Sequence, residues 1–328
     1  MILNFRNVYV LDEATVAGPY EANGPLKNKF DKKYKDLYCK EKSFEKAEAL
    51  MLRDSLKILL KKSGLKKDDI DLIVSGDLSN QIAASCYGTF DFKSPFLGIY
   101  TACATSVEGI LIGSSFIDGG KVDNAIISCS SHNMTSEKQF RNPTEYGSPK
   151  PLTATFTATG GAAILLSNKP TKIRIKNGMI GTIVDYNQKD PFNMGSAMAP
   201  AAYTTLSNYL KETKTKVSDY DLILTGDLGC YGMEIMKDLM KKDGVVLDNY
   251  NDCGVMLYDL EKQKEVKAGG SGPVCSALVC YSSILDKLRD GFYKKVLLIA
   301  TGALFSPNSL YQKENILAIA NLVCLEAI

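Results

Sequence analysis

A cysteine between a strand and a helix is the residue of this sequence best placed for chemistry. Cys103 follows the apolar run FLGIY (residues 96–100) and precedes the amphipathic stretch 104–116. The dipole and free N–H groups of a helix N-terminus stabilise a thiolate, and a thiolate can attack an acyl group. Cys103 is therefore a candidate acyl-accepting nucleophile, and the alternative is a buried structural cysteine.

Three further residues stand in comparable places. Cys275 has the same strand–turn–helix context later in the chain, but the glycine-rich segment 269–273, which includes Ser271, makes a looser turn before it. Asp77 and Asp227 each follow an apolar run through a glycine. Each aspartate is either a helix N-cap or an acid that faces a cleft and could hold a cation.

The single histidine lies in a dense polar segment, SCSSHNMTSEKQFRNPTEYG. His132 is either part of the rim of a site or a hydrogen-bonded loop residue. Arg141 is the nearest arginine, and its planar guanidinium could clamp a carboxylate, or it could form a surface ion pair.

The chain repeats itself, which indicates how these residues are positioned. DDIDLIVSGDL and SDYDLILTGDL are related by 150 positions, and the segments at Cys103 and Cys275 are related by 172. We therefore expect two similar halves, in which Asp71 superposes on Asp221 and Cys103 on Cys275. The 22 additional residues of the second half are assigned to segment 247–267, as two added strands.

Each half alternates helices with short apolar strands. Residues 43–62 have a helical apolar period after a serine N-cap, and residues 71–75 and 96–100 are apolar runs typical of buried strands. This alternation predicts an α/β fold. Two fused halves, residues 1–170 and 171–328, related by a pseudo-twofold axis, predict a thiolase-like αβαβα five-layer fold.

Composition excludes several classes of function. The 328 residues carry a net charge of +2, which gives no basic footprint for nucleic acid. The apolar runs are shorter than the roughly 20 residues of a membrane-spanning helix, and the first residues lack the pattern of a secretory signal. Nine cysteines without a CxxC pair, and one histidine, predict reduced thiols in a cytosol-like compartment and no certain metal site.

Several long motifs resemble the stage V sporulation protein AD family of spore-forming bacteria. The likeness runs from about Ala17 to the C-terminus. It is carried by FDKKYKDLYCKEKSFEKAEALM, SGDLSNQ, ACATSVEG, SSHNMTSEKQFRNPTEYG, DPFNMGSAMAPAA, DYDLILTGDLG, NDCGVMLYD and AGGSGPVCSALVCYS.

The resemblance implies a thiolase-fold protein, without a cofactor, that binds dipicolinic acid or its calcium chelate. It implies a role in uptake of that compound into the developing spore, beside membrane proteins of the same operon and peripheral to the inner spore membrane. Condensing enzymes of this fold need a second-half histidine, and no histidine follows His132. Cys103 is thus expected to be a vestigial nucleophile position.

The ligand is expected in a cleft that faces Cys103, with His132, Arg141 and the turn from Ser271 to Cys275 around it. Asp77 and Asp227 are candidate calcium ligands if the cation accompanies the acid. A homodimer through about residues 90–100 is also expected. Two other functions stay open: an acyltransferase or ketoacyl synthase that uses Cys103, and a purely structural scaffold of a spore membrane channel.

Overall fold

The computed structural model describes residues 1–140 and 150–328, so Arg141 lies outside the described residues. The strands are β1 Ile2–Asn4, β2 Tyr9–Ala17, β3 Lys32–Lys33, β4 Leu72–Gly76, β5 Phe96–Gly98, β6 Asn124–Ser131, β7 Phe156–Thr157, β8 Gly160–Ser167, β9 Ile173–Met179, β10 Leu222–Thr225, β11 Tyr250–Asp252, β12 Gly270–Ser271, β13 Lys295–Leu304 and β14 Leu317–Ala327. The helices are α1 Phe44–Ser63, α2 Ala83–Thr89, α3 Thr105–Asp118, α4 Asn133–Phe140, α5 Met194–Thr213, α6 Gly229–Lys242, α7 Cys253–Leu257, α8 Pro273–Val279, α9 Leu285–Arg289 and α10 Pro307–Tyr311.

The strand order confirms an α/β fold made of two related halves. One half of the sheet runs β5-β4-β6-β8-β2, and the other runs β11-β10-β13-β14-β9. The halves meet where β2 pairs with β9 at Tyr9 and Arg174. The same topology therefore occurs twice. The division at residues 170 and 171 stays a prediction.

Helices cover the sheet in three layers. α1 and α2 pack on one face of the first half, α5 and α6 pack on the second half, and α3 and α8 lie between strands of both halves. Alternate strand residues separate these layers: Val74 and Ile127 belong to the central core around α3, whereas Ile73 and Ile126 pack toward α1. The described residues thus build the expected αβαβα arrangement.

The short strands and α1 form as the sequence predicts. Ser43 caps α1, where its Oγ accepts a hydrogen bond from the Lys46 N–H at 3.3 Å. Asp71 and Asp221 precede β4 and β10, and each carboxylate accepts two backbone N–H groups from the neighbouring strand. The two aspartates therefore stand at equivalent places, 150 positions apart.

The pairing of Cys103 with Cys275 is wrong. Ser106 and Ser276 hydrogen-bond to each other at 2.7 Å where α3 and α8 meet, which relates the starts of these helices by 170 positions. Cys103 lies two residues before α3, whereas Cys275 is the third residue of α8. The next turn, Cys280–Ile284, is a π-helix. Its wider turn takes one more residue, so the strands that follow are related by 171 positions.

The two strands predicted in segment 247–267 are also wrong. Tyr250–Asp252 alone forms a strand there, and it is the counterpart of β5 because both strands lie at the outer end of their half-sheet. The additional residues follow it as α7 and a 3-10 turn at Lys264–Val266. The glycines and apolar residues of this segment suggested strands. Asp252 instead caps a helix, because its carboxylate accepts the Gly254 N–H at 3.0 Å.

No helix within the described ranges combines the length and the apolar character needed to cross a bilayer.

The homodimer stays a prediction, and the edge of the sheet defines how to test it. β5 ends the strand order, so its outer edge has no partner strand among the described residues, and Phe90 and Phe96 are 77% and 40% exposed beside it. An exposed edge pairs readily with another chain. We expect light scattering at micromolar concentration to give a dimer, and Phe96→Asp to give a monomer. Phe292→Asp, at a residue that is also exposed, should stay dimeric; a monomeric parent chain would contradict the prediction.

Candidate functional site

Cys103 lies in a tight turn at the point where the two halves meet. The preceding residue, Ala102, has a left-handed φ of 50°, and its carbonyl accepts a hydrogen bond from Thr105 Oγ1 at 2.7 Å. A non-glycine residue in this region is uncommon and costs conformational energy, so the surrounding contacts must hold it. The turn points the Cys103 thiol into the interior, where the residue is 7% exposed.

The thiol borders a cavity of about 40 Å³. Its wall includes Ser271 from the second-half turn, Thr157 from β7 and Met194 at the start of α5. Ser271 therefore lies where the sequence placed it, and Met194 brings the MGSAMAP motif to the same cavity. This space is small, because one water molecule needs about 10–15 Å³ of such volume and the cavity therefore has room for only a few waters.

Asp227 is the group that contacts the Cys103 thiol. The carboxylate is buried, and it accepts hydrogen bonds from Thr301 Oγ1 at 2.7 Å and from the Gly272 N–H at 3.2 Å. Gly272 has a φ of 98°, and a Cβ there would lie 2.7 Å from Ser131 Oγ, so glycine alone fits. Asp227 thus joins three segments of the second half to the cysteine of the first.

Neither member of this pair ionises as readily as it does in water. Burial raises the pKa of Asp227 from 3.8 to about 7. Burial, and then the negative charge of Asp227, raise the pKa of the Cys103 thiol well above its ordinary value. The expected stabilisation of a thiolate by the helix start is therefore outweighed, because desolvation and a neighbouring acid both favour the protonated thiol.

The two equivalent aspartates have different roles. Asp77 is buried and accepts the backbone N–H groups of Ser79 and Ser85, each at 2.7 Å. It therefore acts as a cap, which is one of the two interpretations the sequence left open. In the second half that role belongs to Asp252, whose carboxylate accepts the N–H groups of Leu228 and Gly229. Asp227 instead accepts hydrogen bonds from Gly272 and Thr301.

His132 does not lie beside Cys103, so that placement is wrong. The residue is fully buried; its Nε2 donates to the Leu37 carbonyl at 2.9 Å, and its Nδ1 accepts from the Met134 N–H at 3.1 Å. The ring packs on Phe44, and burial lowers the pKa of His132 to about 4. It is a neutral structural histidine because both nitrogens are used by the backbone.

Cys275 is also absent from the wall of the cavity. It is fully buried within α8, and its sulfur lies against Gly270. Arg141 lies outside the described residues. Within residues 1–140 and 150–328, no group of three His, Cys, Asp or Glu side chains converges as a metal site. A calcium site built from Asp77 and Asp227 gains no support, since Asp77 is engaged by backbone N–H groups.

A larger cleft adjoins the inner cavity. It has a volume of about 440 Å³ and shares three aromatic residues with the cavity: Tyr100, Phe140 and Phe305. Phe140 and Phe305 pack together with ring centroids 5.5 Å apart. Asn80, Gln81, Gln139 and Ser306 supply amide and hydroxyl groups along the same cleft. The sequence analysis missed these residues, because they come from four separate segments.

Comparison with known proteins identifies the family. The family model for stage V sporulation protein AD matches residues 2–326. A curated stage V sporulation protein AD from Bacillus subtilis (strain 168) is 46% identical over 320 residues, which cover 97% of this chain and 94% of that protein. The chain belongs to the stage V sporulation protein AD family. The resemblance seen in the sequence is thereby confirmed.

Solved structures agree with this fold. A crystal structure of an OleA variant from Xanthomonas campestris has a TM-score of 0.66 with this family member at 12% identity, and covers 99% of this chain and 100% of that chain. The 3-oxoacyl-[acyl-carrier-protein] synthase III from Aquifex aeolicus VF5 gives a TM-score of 0.58 at 12% identity, with 97% and 99% coverage. These similarities show a thiolase-like fold.

The raised pKa of Asp227 predicts a specific dependence of stability on pH. At pH 5.5 the unfolded carboxyl is already ionised, whereas the folded one keeps its proton. Raising the pH to 8 removes the proton from the folded carboxyl alone. The free energy of unfolding should therefore fall by about 2 kcal/mol, at 1.36 kcal/mol per pKa unit. Urea unfolding at the two pH values should show this loss for the parent chain and a smaller loss for Asp227→Asn. Equal pH slopes would contradict the assignment.

A second prediction concerns the reactivity of the thiols. Alkylation needs a thiolate, and the folded environment of Cys103 opposes one. With iodoacetamide at pH 8, peptide mapping should find Cys86, which is exposed, modified, while Cys103 stays unmodified. Modification of Cys103 as fast as Cys86 would mean that the site does not suppress the thiolate.

Proposed function

We propose that this chain is a non-enzymatic binder of dipicolinic acid, in its calcium chelate, which supports uptake of that compound into the developing spore. The observation that carries the proposal is the Cys103–Asp227 pair. At the position where a condensing enzyme needs an activated thiolate, this chain has a buried thiol whose pKa is raised by burial and by the buried acid Asp227. Membership of the stage V sporulation protein AD family supplies the biological setting.

The chemistry of acyl transfer has no support from the neighbours of Cys103. A thiol becomes a nucleophile when a base or a positive charge lowers its pKa. Here burial and the charge of Asp227 raise the pKa of the thiol, and His132 is fixed by the backbone elsewhere. An acyltransferase would require these groups to rearrange. A persistent acyl adduct on Cys103 after incubation with acyl-CoA would contradict the proposal.

The outer cleft suits a flat aromatic ligand better than the inner cavity does. Its volume of about 440 Å³ lies in the usual range of small-molecule sites, whereas the volume of the inner cavity is about 40 Å³. Tyr100, Phe140 and Phe305 offer aromatic surface on which a pyridine ring can pack. The ligand is therefore placed outside Cys103, between this aromatic wall and the amides of Asn80 and Gln139.

The charge of the cleft favours the calcium chelate over the free acid. The described residues that line it include no charged side chain. Against these described residues a dianion would lose its hydration without gaining a counter-ion, which is costly. A one-to-one complex of calcium with the dicarboxylate carries no net charge, and its oxygens can still accept hydrogen bonds from amide and hydroxyl groups.

Calorimetric titration tests the proposed site. Dipicolinate with calcium should bind the parent chain, and Phe140→Ala or Phe305→Ala should weaken binding by about five- to tenfold, because each removes a ring–ring contact and apolar area. Phe292→Ala, which is exposed outside the cleft, is the matched control and should bind like the parent. Absence of heat with the parent chain would favour the structural-scaffold alternative.

The ionic form is tested in a second arm of the same titration. With excess chelator, so that the free acid is the only ligand, the affinity should fall by at least about tenfold relative to the calcium complex. Equal affinities would show that the cleft recognises the acid without calcium. The preference for the chelate would then be wrong, whereas the proposed location of the site would stand.

A further inference from the structure

A second pocket lies in the other half of the molecule. It has a volume of about 220 Å³ and opens between β9, the start of β13 and the end of α5. It shares no lining residue with the cavity at Cys103 or with the outer cleft. Its wall carries lysine side chains, whereas the described residues that line the other two include no charged side chain. It includes Lys176, Lys295, Tyr209, Tyr220, Thr213 and Thr215.

Positive charge is in excess beside this pocket. Arg174, Lys176 and Lys295 all form ion pairs with Glu326, which is the carboxylate they share among the described residues. Lys176 Nζ lies 3.0 Å and Lys295 Nζ lies 3.8 Å from the same Oε1 atom, so the two ammonium groups are within about 7 Å of each other. Like charges at that distance repel, and one carboxylate does not neutralise three cations.

The other acid of the pocket does not remove this excess. Asp219 is exposed, and its carboxylate accepts the Lys216 N–H at 2.8 Å, where it closes a 3-10 turn. It forms no ion pair with Lys176 or Lys295 among the described residues. Glu326 is held ionised, since its hydrogen bonds to Lys176 and Arg174 outweigh burial and lower its pKa.

A chain of hydroxyl groups forms the opposite wall. Thr213 Oγ1 donates to the Tyr209 carbonyl at 2.7 Å and lies 2.7 Å from Thr215 Oγ1. Thr215 Oγ1 lies 2.9 Å from Tyr220 Oη, which is also 3.4 Å from Tyr209 Oη. The hydroxyl hydrogen of Tyr220 is the last donor in this chain, and its present acceptor is Tyr209 Oη. The Tyr220 hydroxyl can therefore rotate to donate to a ligand, and no other donor loses its acceptor.

We propose that this pocket binds a phosphate-type oxyanion, held by the ammonium groups of Lys176 and Lys295 and by the Tyr220 hydroxyl. Lysine binds phosphate as a compact point charge, and hydrogen bonds to charged acceptors are the strong ones. Lys176 and Lys295 line the pocket and Arg174 does not, so the two lysines are the cations that can reach a ligand while the three side chains share Glu326. The site does not depend on the proposed binding of dipicolinate.

Free phosphate and the headgroup of an anionic phospholipid offer the same chemistry. Titration of the full chain with inorganic phosphate, followed by calorimetry and by ³¹P NMR, tests the first source. Co-sedimentation with phosphatidylglycerol vesicles, against phosphatidylcholine vesicles, tests the second. Binding that requires Lys176 and Lys295 supports the proposed site. The experiment in which it occurs shows whether the ligand is free phosphate or a phospholipid headgroup.

Three variants decide whether the binding belongs to this pocket. Lys176→Ala with Lys295→Ala should weaken phosphate binding by at least about tenfold, as expected for the loss of charge-assisted hydrogen bonds. Tyr220→Phe keeps the ring and removes one hydroxyl, so it should weaken binding about threefold to tenfold even if the double variant fails to fold. Lys242→Ala, an exposed lysine outside the pocket, is the control and should bind like the parent.

The proposal is overturned if neither phosphate nor vesicles bind the parent chain at millimolar phosphate. It is equally overturned if Tyr220→Phe and a folded double-lysine variant both bind like the parent. Dipicolinate should not displace phosphate, because the two pockets share no residue; competition between the two ligands would also place the anion elsewhere.

Discussion

The arrangement at the centre of this molecule depends on one buried carboxyl group. Asp227 accepts hydrogen bonds from Thr301 and from the backbone of Gly272, and its charge acts on the thiol of Cys103. It therefore ties the end of β10 to β13, to the turn before α8 and to the first half. Burial is the main reason that the neighbouring cysteine stays a thiol, and the charge of Asp227, when it is ionised, acts in the same direction.

Much of the fold is readable from the sequence, for a local reason. The eleven-residue motifs that end in Gly76-Asp77-Leu78 and Gly226-Asp227-Leu228 carry both the apolar strand and the turn, so each copy specifies its own β-strand. The roles of the two aspartates were not readable, because they depend on a distant residue. Asp252 caps the turn after β10, and only its presence leaves Asp227 to contact Cys103.

The site was less predictable than the fold, since its residues come together only through tertiary structure. Cys103 and Ser271 could be found, because each lies in a turn at the end of an apolar run. Phe140 and Phe305 have no shared signal in the sequence, although they pack together in the cleft. His132 attracted attention as the sole histidine, but its hydrogen bonds to the backbone give it a structural role.

The π-turn at Cys280–Ile284 has a consequence for how such a molecule arises. If the two halves descend from a duplicated gene, a single-codon insertion in one copy would ordinarily rotate every later helical residue by about 100° and destroy its packing. A wide turn absorbs the inserted residue where it occurs. The contact between Ser106 and Ser276, which precedes the π-turn, is then kept while the copies diverge. The strands that follow the π-turn keep their places as well.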